Sequence, residues 1–347
     1  MDFALRLLVF LLGLAAVVAV LWSAILTFIL PRAGRSEITR LVFLAIRSCF
    51  NTVTKRYKEY TSRDRIMAVY APVSLLALVG TWLAISLAGY MAMFWATGTE
   101  DWETAYKLSL SSLFTLGFAQ AENVPETVLV FGEAFTGLVL IALLIGYLPT
   151  IYAAFSKREM LVSLLEVRAG TPPSAPELFE RFYRIHGFGR LNAMWVEWER
   201  WFAELDETHT SLAVLSFYRS PRSKLSWIVA AGAVLDSASL AASSLEMPRD
   251  PQADLCIRAG FLALRHIADF FQIPYNPTPQ RGDPITISRE EYDAVYDRLQ
   301  KYGIPMKADR QQAWEDFAGW RVNYDTVLRA LAKLTMAPEA PWISDRK

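Results

Sequence analysis

Residues Ser111–Gln120 read SSLFTLGFAQ, an uncharged run with a single glycine, Gly117. The run lies between two apolar segments, Ile66–Ala96 and Thr127–Phe155, each long enough to supply the roughly 20 residues a helix needs to cross a bilayer. A third such segment, Phe3–Leu30, precedes both and stops at Pro31. It holds one charge, Arg6, and Thr127–Phe155 also holds one, Glu133. Phe3–Leu30 is too long for the apolar core of a signal peptide and reads as a retained span.

Composition agrees with a membrane protein. The 347 residues have a formal net charge of zero and only 20% are charged. Mean hydropathy is +0.23, the value expected of membrane spans diluted by a soluble part. A neutral chain gives no support for nucleic-acid binding. Cys49 and Cys256 form neither a disulfide framework nor a metal spacing.

Charge sets the orientation. Between Arg32 and Arg65 nine basic residues (Arg32, Arg35, Arg40, Arg47, Lys55, Arg56, Lys58, Arg63, Arg65) face three acids, Glu37, Glu59 and Asp64. The positive-inside rule makes this connection cytoplasmic. Lys157 and Arg158, after the last span, are inside by the same rule. The connection between the second and third spans carries Glu100, Asp101, Glu103, Glu122 and Glu126 against Lys107 alone, and is outside. The expectation is a multi-pass cell-membrane protein with its N-terminus outside and its C-terminus cytoplasmic. Within the basic connection, Ile38, Leu41, Val42, Ala45, Ile46 and Cys49 recur at helical spacing. An amphipathic helix over 36–60 with its basic face on anionic lipids is one reading; a solvated helix packed on protein is the other.

Asp101–Leu113, DWETAYKLSLSSL, suits a short helix with acids in its first turn. It is too short to cross, and the chain returns at once through FTLGFA. Unpaired backbone at membrane depth is costly unless it is buried in protein or lines water. A pore meets that condition, because its carbonyls replace the hydration shell of an ion.

Span, short helix, Thr115-Leu116-Gly117-Phe118-Ala119 and span together resemble the two-helix pore module of potassium channels, whose filter reads Thr-Val-Gly-Tyr-Gly or Thr-Leu-Gly-Phe-Gly. The resemblance covers about residues 66–159. It implies that Thr115, Leu116, Gly117, Phe118 and Ala119 form the ion-binding filter, with Gln120 and Glu122 at the outer mouth. Two positions depart from the family. Ala119 stands where a second glycine is usual, and Gln120 where an aspartate usually follows. An alanine resists positive φ by about 1 kcal/mol, so a weakly selective cation pore stands beside a potassium-selective one. The implied permeant ion is potassium, with sodium as the alternative.

One such loop per chain cannot surround an ion, so four copies must assemble about an axis. Pro149 in the third span lacks the N–H that would reach the carbonyl of Ile145. A bend at Gly146–Pro149 is the expected gate or hinge.

Beyond residue 159 the chain reads as soluble and helical. Helices are expected at Pro176–Arg184, Arg190–Leu205, Ser211–Tyr218, Ser223–Leu245, Pro251–Phe271, Ser288–Tyr302 and Arg310–Met336. Ser288 and Glu291 form a capping box. Asp236 inside the apolar stretch Ser226–Leu245 favours a buried core helix over a fourth span. Trp195, Trp198 and Trp201 form an aromatic stripe suited to a core or a subunit contact. No phosphate-binding loop, dinucleotide fingerprint or metal-ligand set is present, and His209 reads as part of a polar turn.

The expectation is an all-α integral membrane protein with four parts: an N-terminal span (1–31), a basic connector (32–65), a pore-loop module (66–159) and a helical cytoplasmic domain (160–347). It is a homotetrameric passive cation channel, not an enzyme, with no cofactor. The alternative from another class is a membrane-anchored signalling or scaffold protein whose re-entrant loop is structural.

Overall fold

The computed structural model describes residues 3–30, 36–99 and 101–345. Pro31, Arg32, Arg35 and Glu100, used above for the first span's end and the charge balance, lie outside the described residues. The described residues form thirteen α-helices and no strand: α1 (Phe3–Phe28), α2 (Glu37–Thr54), α3 (Tyr60–Ala68), α4 (Tyr70–Thr97), α5 (Trp102–Leu113), α6 (Val124–Ala169), α7 (Ala175–Arg184), α8 (Leu191–Ser211), α9 (Trp227–Ser243), α10 (Pro251–Phe270), α11 (Arg289–Lys301), α12 (Arg310–Arg321) and α13 (Asp325–Thr335). Three stretches, Phe3–Phe28, Tyr60–Thr97 and Val124–Ala169, are long and apolar enough to cross a membrane.

The chain divides into two compact units. One holds Met1–Tyr57 and Val69–Tyr152, the other Lys58–Ala68 and Ala153–Lys347. Residues 58–65, assigned to the basic connector on sequence, therefore group with the C-terminal part.

In the first unit α1 crosses α4 at two glycines. A Cβ on Gly13 would lie 2.4 Å from the carbonyl of Gly89, and one on Gly89 2.8 Å from that of Gly13. Only small residues allow two helical backbones this close. Polar groups reinforce the contact: the Trp82 indole N–H donates to Ser23 Oγ at 3.0 Å, and Ser23 Oγ lies 2.5 Å from Ser36 Oγ. Ser36 is also the N-cap of α2, accepting from the Thr39 N–H.

On α2, Ile38 and Val42 pack inward, while Leu41 is 62% exposed and Ala45 and Cys49 also face outward. Tyr70 holds the inward side. Its hydroxyl donates to the Phe43 carbonyl, the rings of Phe43 and Phe50 lie 6.4 and 5.7 Å from its own, and the Arg47 guanidinium sits 5.9 Å above it.

In the second unit Trp195, Trp198, Trp201 and Phe202 of α8 are buried in the core, together with Leu161, Val162 and Leu165 from the end of α6. Helix α9 spans 17 residues and is almost wholly buried, so Ser226–Leu245 is a core helix. Its Asp236 accepts from Arg321 Nη1 and from the Tyr324 hydroxyl at 2.9 Å. Arg321 also donates to Asp325 Oδ1 at 2.8 Å and to the Trp342 carbonyl at 2.6 Å. Burial pulls the guanidinium pKa down, but the nearby Asp236 and Asp325 more than reverse this and keep Arg321 charged.

Two expected helices take another form. Arg310–Met336 is broken at Val322–Tyr324, where the Asn323 amide donates to the carbonyls of Gly319 and Trp320. A side chain that occupies these carbonyls competes with helix continuation. Ser211–Tyr218 holds only the 3₁₀ turn Ala213–Phe217. The capping box at Ser288 and Glu291 is present as expected.

Candidate functional site

Helix α5 starts at Asp101, whose carboxylate accepts the Thr104 N–H at 2.7 Å. It ends in a Schellman-type turn: the Thr115 N–H reaches the Ser112 carbonyl at 3.0 Å and the Leu116 N–H reaches that of Ser111 at 2.8 Å. Such a turn needs a left-handed residue, usually glycine, and here it is Thr115 at φ 54°. A β-branched residue in that region is uncommon and strained by about 1–2 kcal/mol. Gly117, at φ 72°, takes the same hand, while Leu116, Phe118 and Ala119 do not. The strain therefore falls at Thr115, and Ala119 avoids the positive φ of a filter glycine.

After the turn the chain is non-helical through Glu122. Ser111 Oγ accepts the Ala119 N–H at 3.1 Å, which fastens the returning chain to α5. Among the described residues no donor reaches the carbonyls of Thr115, Leu116, Gly117 or Phe118. Thr115 to Phe118 are all exposed, Leu116 at 60% and Phe118 at 57%. Gln120 and Glu122 are exposed as well. Glu126 is buried and serves the start of α6: its carboxylate accepts the Glu122 N–H at 2.9 Å, and its own N–H donates to Asn123 Oδ1 at 2.9 Å. A buried capping acid is taken up by the fold, which leaves Glu122 as the acid open at the mouth of the loop.

Behind the loop, Ser109 joins three helices. Its hydroxyl lies 2.5 Å from Glu133 Oε1 on α6 and 3.1 Å from the Leu87 carbonyl on α4. Glu133 is fully buried, and its Oε2 has no partner among the described residues. Four residues on, a Cβ at Gly137 would sit 2.2 Å from the carbonyl oxygen of Leu113. Helix α6 thus meets the C-terminal end of α5 backbone to backbone. The sequence assigned no role to Ser109, Ser111 or Gly137. Glu133 carried a signal, since an acid within an apolar span marks a functional position by default.

The expected hinge residues lie on an uninterrupted helix. Helix α6 runs through Pro149 without a break. Gly146 and Pro149 are exposed, and the Thr150 hydroxyl adds a bond to the Gly146 carbonyl at 3.3 Å. The histidines form no cluster, and no group of three or more His, Cys, Asp or Glu suited to a metal occurs among the described residues. His266 Nδ1 lies 2.8 Å from Asp206 Oδ2. His209 is buried in α8 against Arg158, not in a polar turn.

No protein family, no curated protein and no solved structure matches the chain.

Proposed function

We propose that the protein is a passive cation channel built from four copies of the chain. The four successive carbonyls from Thr115 to Phe118, unpaired and exposed between two membrane-length helices, carry this reading. In lipid, unpaired carbonyls are costly, and water with dehydrating cations is the setting that accommodates them. Left-handed residues at Thr115 and Gly117 alternate with residues that are not. In this arrangement the Thr115–Phe118 oxygens bind potassium, Glu122 raises the cation concentration at the mouth, and Gly146–Pro149 is the gate region.

The conformation of Ala119 favours a relaxed outer site. With no left-handed residue there, the outermost carbonyl is not turned as in a two-glycine filter, so sodium permeates alongside potassium more readily than in such a filter. The N-terminus is placed outside, the C-terminal part in the cytoplasm, and α2 against the inner leaflet. There α2 presents Leu41 and Leu44 to lipid, while Arg40, Lys55 and Arg56 lie within reach of anionic headgroups.

The test is rubidium uptake by liposomes holding the purified protein, for the wild type and Gly117→Ala. A Cβ at Gly117 meets nothing within 4 Å in its own chain, so no clash there opposes folding, while its φ is strained. Uptake by the wild type and its loss in the variant are expected. Intact tetramers that pass neither rubidium nor sodium would overturn the proposal.

A further inference from the structure

Within the second unit, two arginines fasten two different helices to one short segment. Arg219 donates to Asp64 Oδ1 at 2.7 Å and Tyr60 Oη at 3.2 Å on α3, and to the carbonyls of Thr335 at 2.6 Å and Met336 at 3.0 Å. The Asp64 and Arg219 side chains are only 12% and 11% exposed. Helix α3 ends one residue before α4 begins.

Arg158 lies on α6, three residues beyond Phe155. It donates to the carbonyls of Leu215 at 2.8 Å and Tyr218 at 2.7 Å, and to Glu159 Oε1 at 2.9 Å. Its Nη1 also lies 3.1 Å from His209 Nε2. The Phe155 and Tyr218 rings are 5.8 Å apart. The five residues Leu215–Arg219 therefore hold the stem of α6 through their carbonyls and the lead-in to α4 through the Arg219 side chain.

This segment has little regular structure of its own. It holds the end of a 3₁₀ turn, whose hydrogen bonds are poorer than those of an α-helix. Ser216 within it and Ser220 just after it keep buried hydroxyls with no partner among the described residues, so this stretch forgoes hydrogen bonds in this position. Charge-assisted bonds to two helices hold it there.

We propose that Leu215–Arg219 is a bracket that couples the lead-in of α4 to the stem of α6, with Arg219 and Arg158 as positioning residues for ion flow. The inference rests on the channel reading for its effect on flux but not for the coupling. A shift at either helix is passed to the other through the bracket, which gives two sites one shared element to bias.

The experiment uses the full chain in liposomes and compares wild type, Arg219→Gln, Asp64→Asn and the conservative Arg219→Lys. Two quantities are read: backbone hydrogen exchange and rubidium flux per intact assembly. Loss of the Arg219–Asp64 bond should speed exchange about tenfold, the factor matching one charge-assisted hydrogen bond, in Tyr60–Ala68 and also in 156–162 on α6. Flux should change in Arg219→Gln and Asp64→Asn, and change least in Arg219→Lys, whose ammonium still donates. If Arg219→Gln does not fold, Asp64→Asn, which removes the charge and leaves an acceptor, should show the same pattern at a smaller factor. Faster exchange confined to Tyr60–Ala68 overturns the bracket. Exchange that spreads to α6 without a change in flux overturns its role in ion flow. A wild type with no flux defeats the channel reading, and exchange alone then decides the coupling.

Discussion

Replacing Gly137 by alanine tests the junction behind the loop. The added Cβ would lie 2.2 Å from the Leu113 carbonyl oxygen and 3.2 Å from its carbon. A backbone carbonyl cannot swing aside as a side-chain tip can, so α6 or the end of α5 must move. Overpacking of this sort costs up to about 3 kcal/mol, and the gain in helix propensity from glycine to alanine returns roughly 1 kcal/mol. A net loss of about 2 kcal/mol is expected. Gly146 is the internal control, because a Cβ there meets nothing within 4 Å, so Gly146→Ala should be neutral or stabilising. Gly132 is intermediate, with the Tyr90 hydroxyl 3.2 Å from the new atom. Thermal unfolding in detergent, followed by tryptophan fluorescence, ranks the three. Rubidium flux in liposomes then asks whether Gly137→Ala, which presses on the residue two before Thr115, also alters conduction. A Gly137→Ala protein as stable as wild type, or a Gly146→Ala protein that loses as much, would refute the packing argument.

Three further outcomes follow from the same geometry. Ser109→Ala leaves the buried Glu133 carboxyl without its recorded donor and should cost about 1–3 kcal/mol, whereas Ser109→Ala/Glu133→Met should recover part of the loss, as a chemical-denaturation cycle would reveal. Arg321→Met strands Asp236 and Asp325 as buried, unpaired carboxylates and should lower stability by about 3–5 kcal/mol in the same assay. Burial first, and then the Arg158 cation, hold the His209 pKa well below the usual histidine value. The unfolded chain therefore takes up the proton first: stability from His209 is full above about pH 6.5 and falls by up to about 1.4 kcal/mol per unit as the pH drops toward the folded value. Melting temperatures between pH 7 and 5 should fall less steeply in His209→Gln than in wild type.

The long apolar helices, the short helix before the loop and the Ser288 cap were legible because each rests on local pattern: hydropathy, an N-terminal acid, a capping pair. The buried status of α9 was legible from Asp236 alone, but its partner Arg321 lies 85 residues away and carries no sequence mark. Distance in the chain likewise hid the Ser109–Glu133 tie and the two arginine anchors. On α2, spacing showed which residues share a side but not that Tyr70 would hold Phe43 and Phe50 on the inward one. At the loop, the sequence pointed to Ala119 as the place where handedness matters. The strained residue is Thr115, because the end of α5 demands a left-handed position two residues before Gly117.

The two cysteines have contrasting settings: Cys49 is exposed on α2, while Cys256 is buried with its thiol pKa pushed up by that burial. A maleimide dye added to the chain taken out of the membrane in detergent should therefore react at Cys49 and not at Cys256, with no cysteine engineering. Single-molecule photobleaching of assemblies labelled this way counts subunits directly, and four steps per spot is the stoichiometry a ring of carbonyls requires.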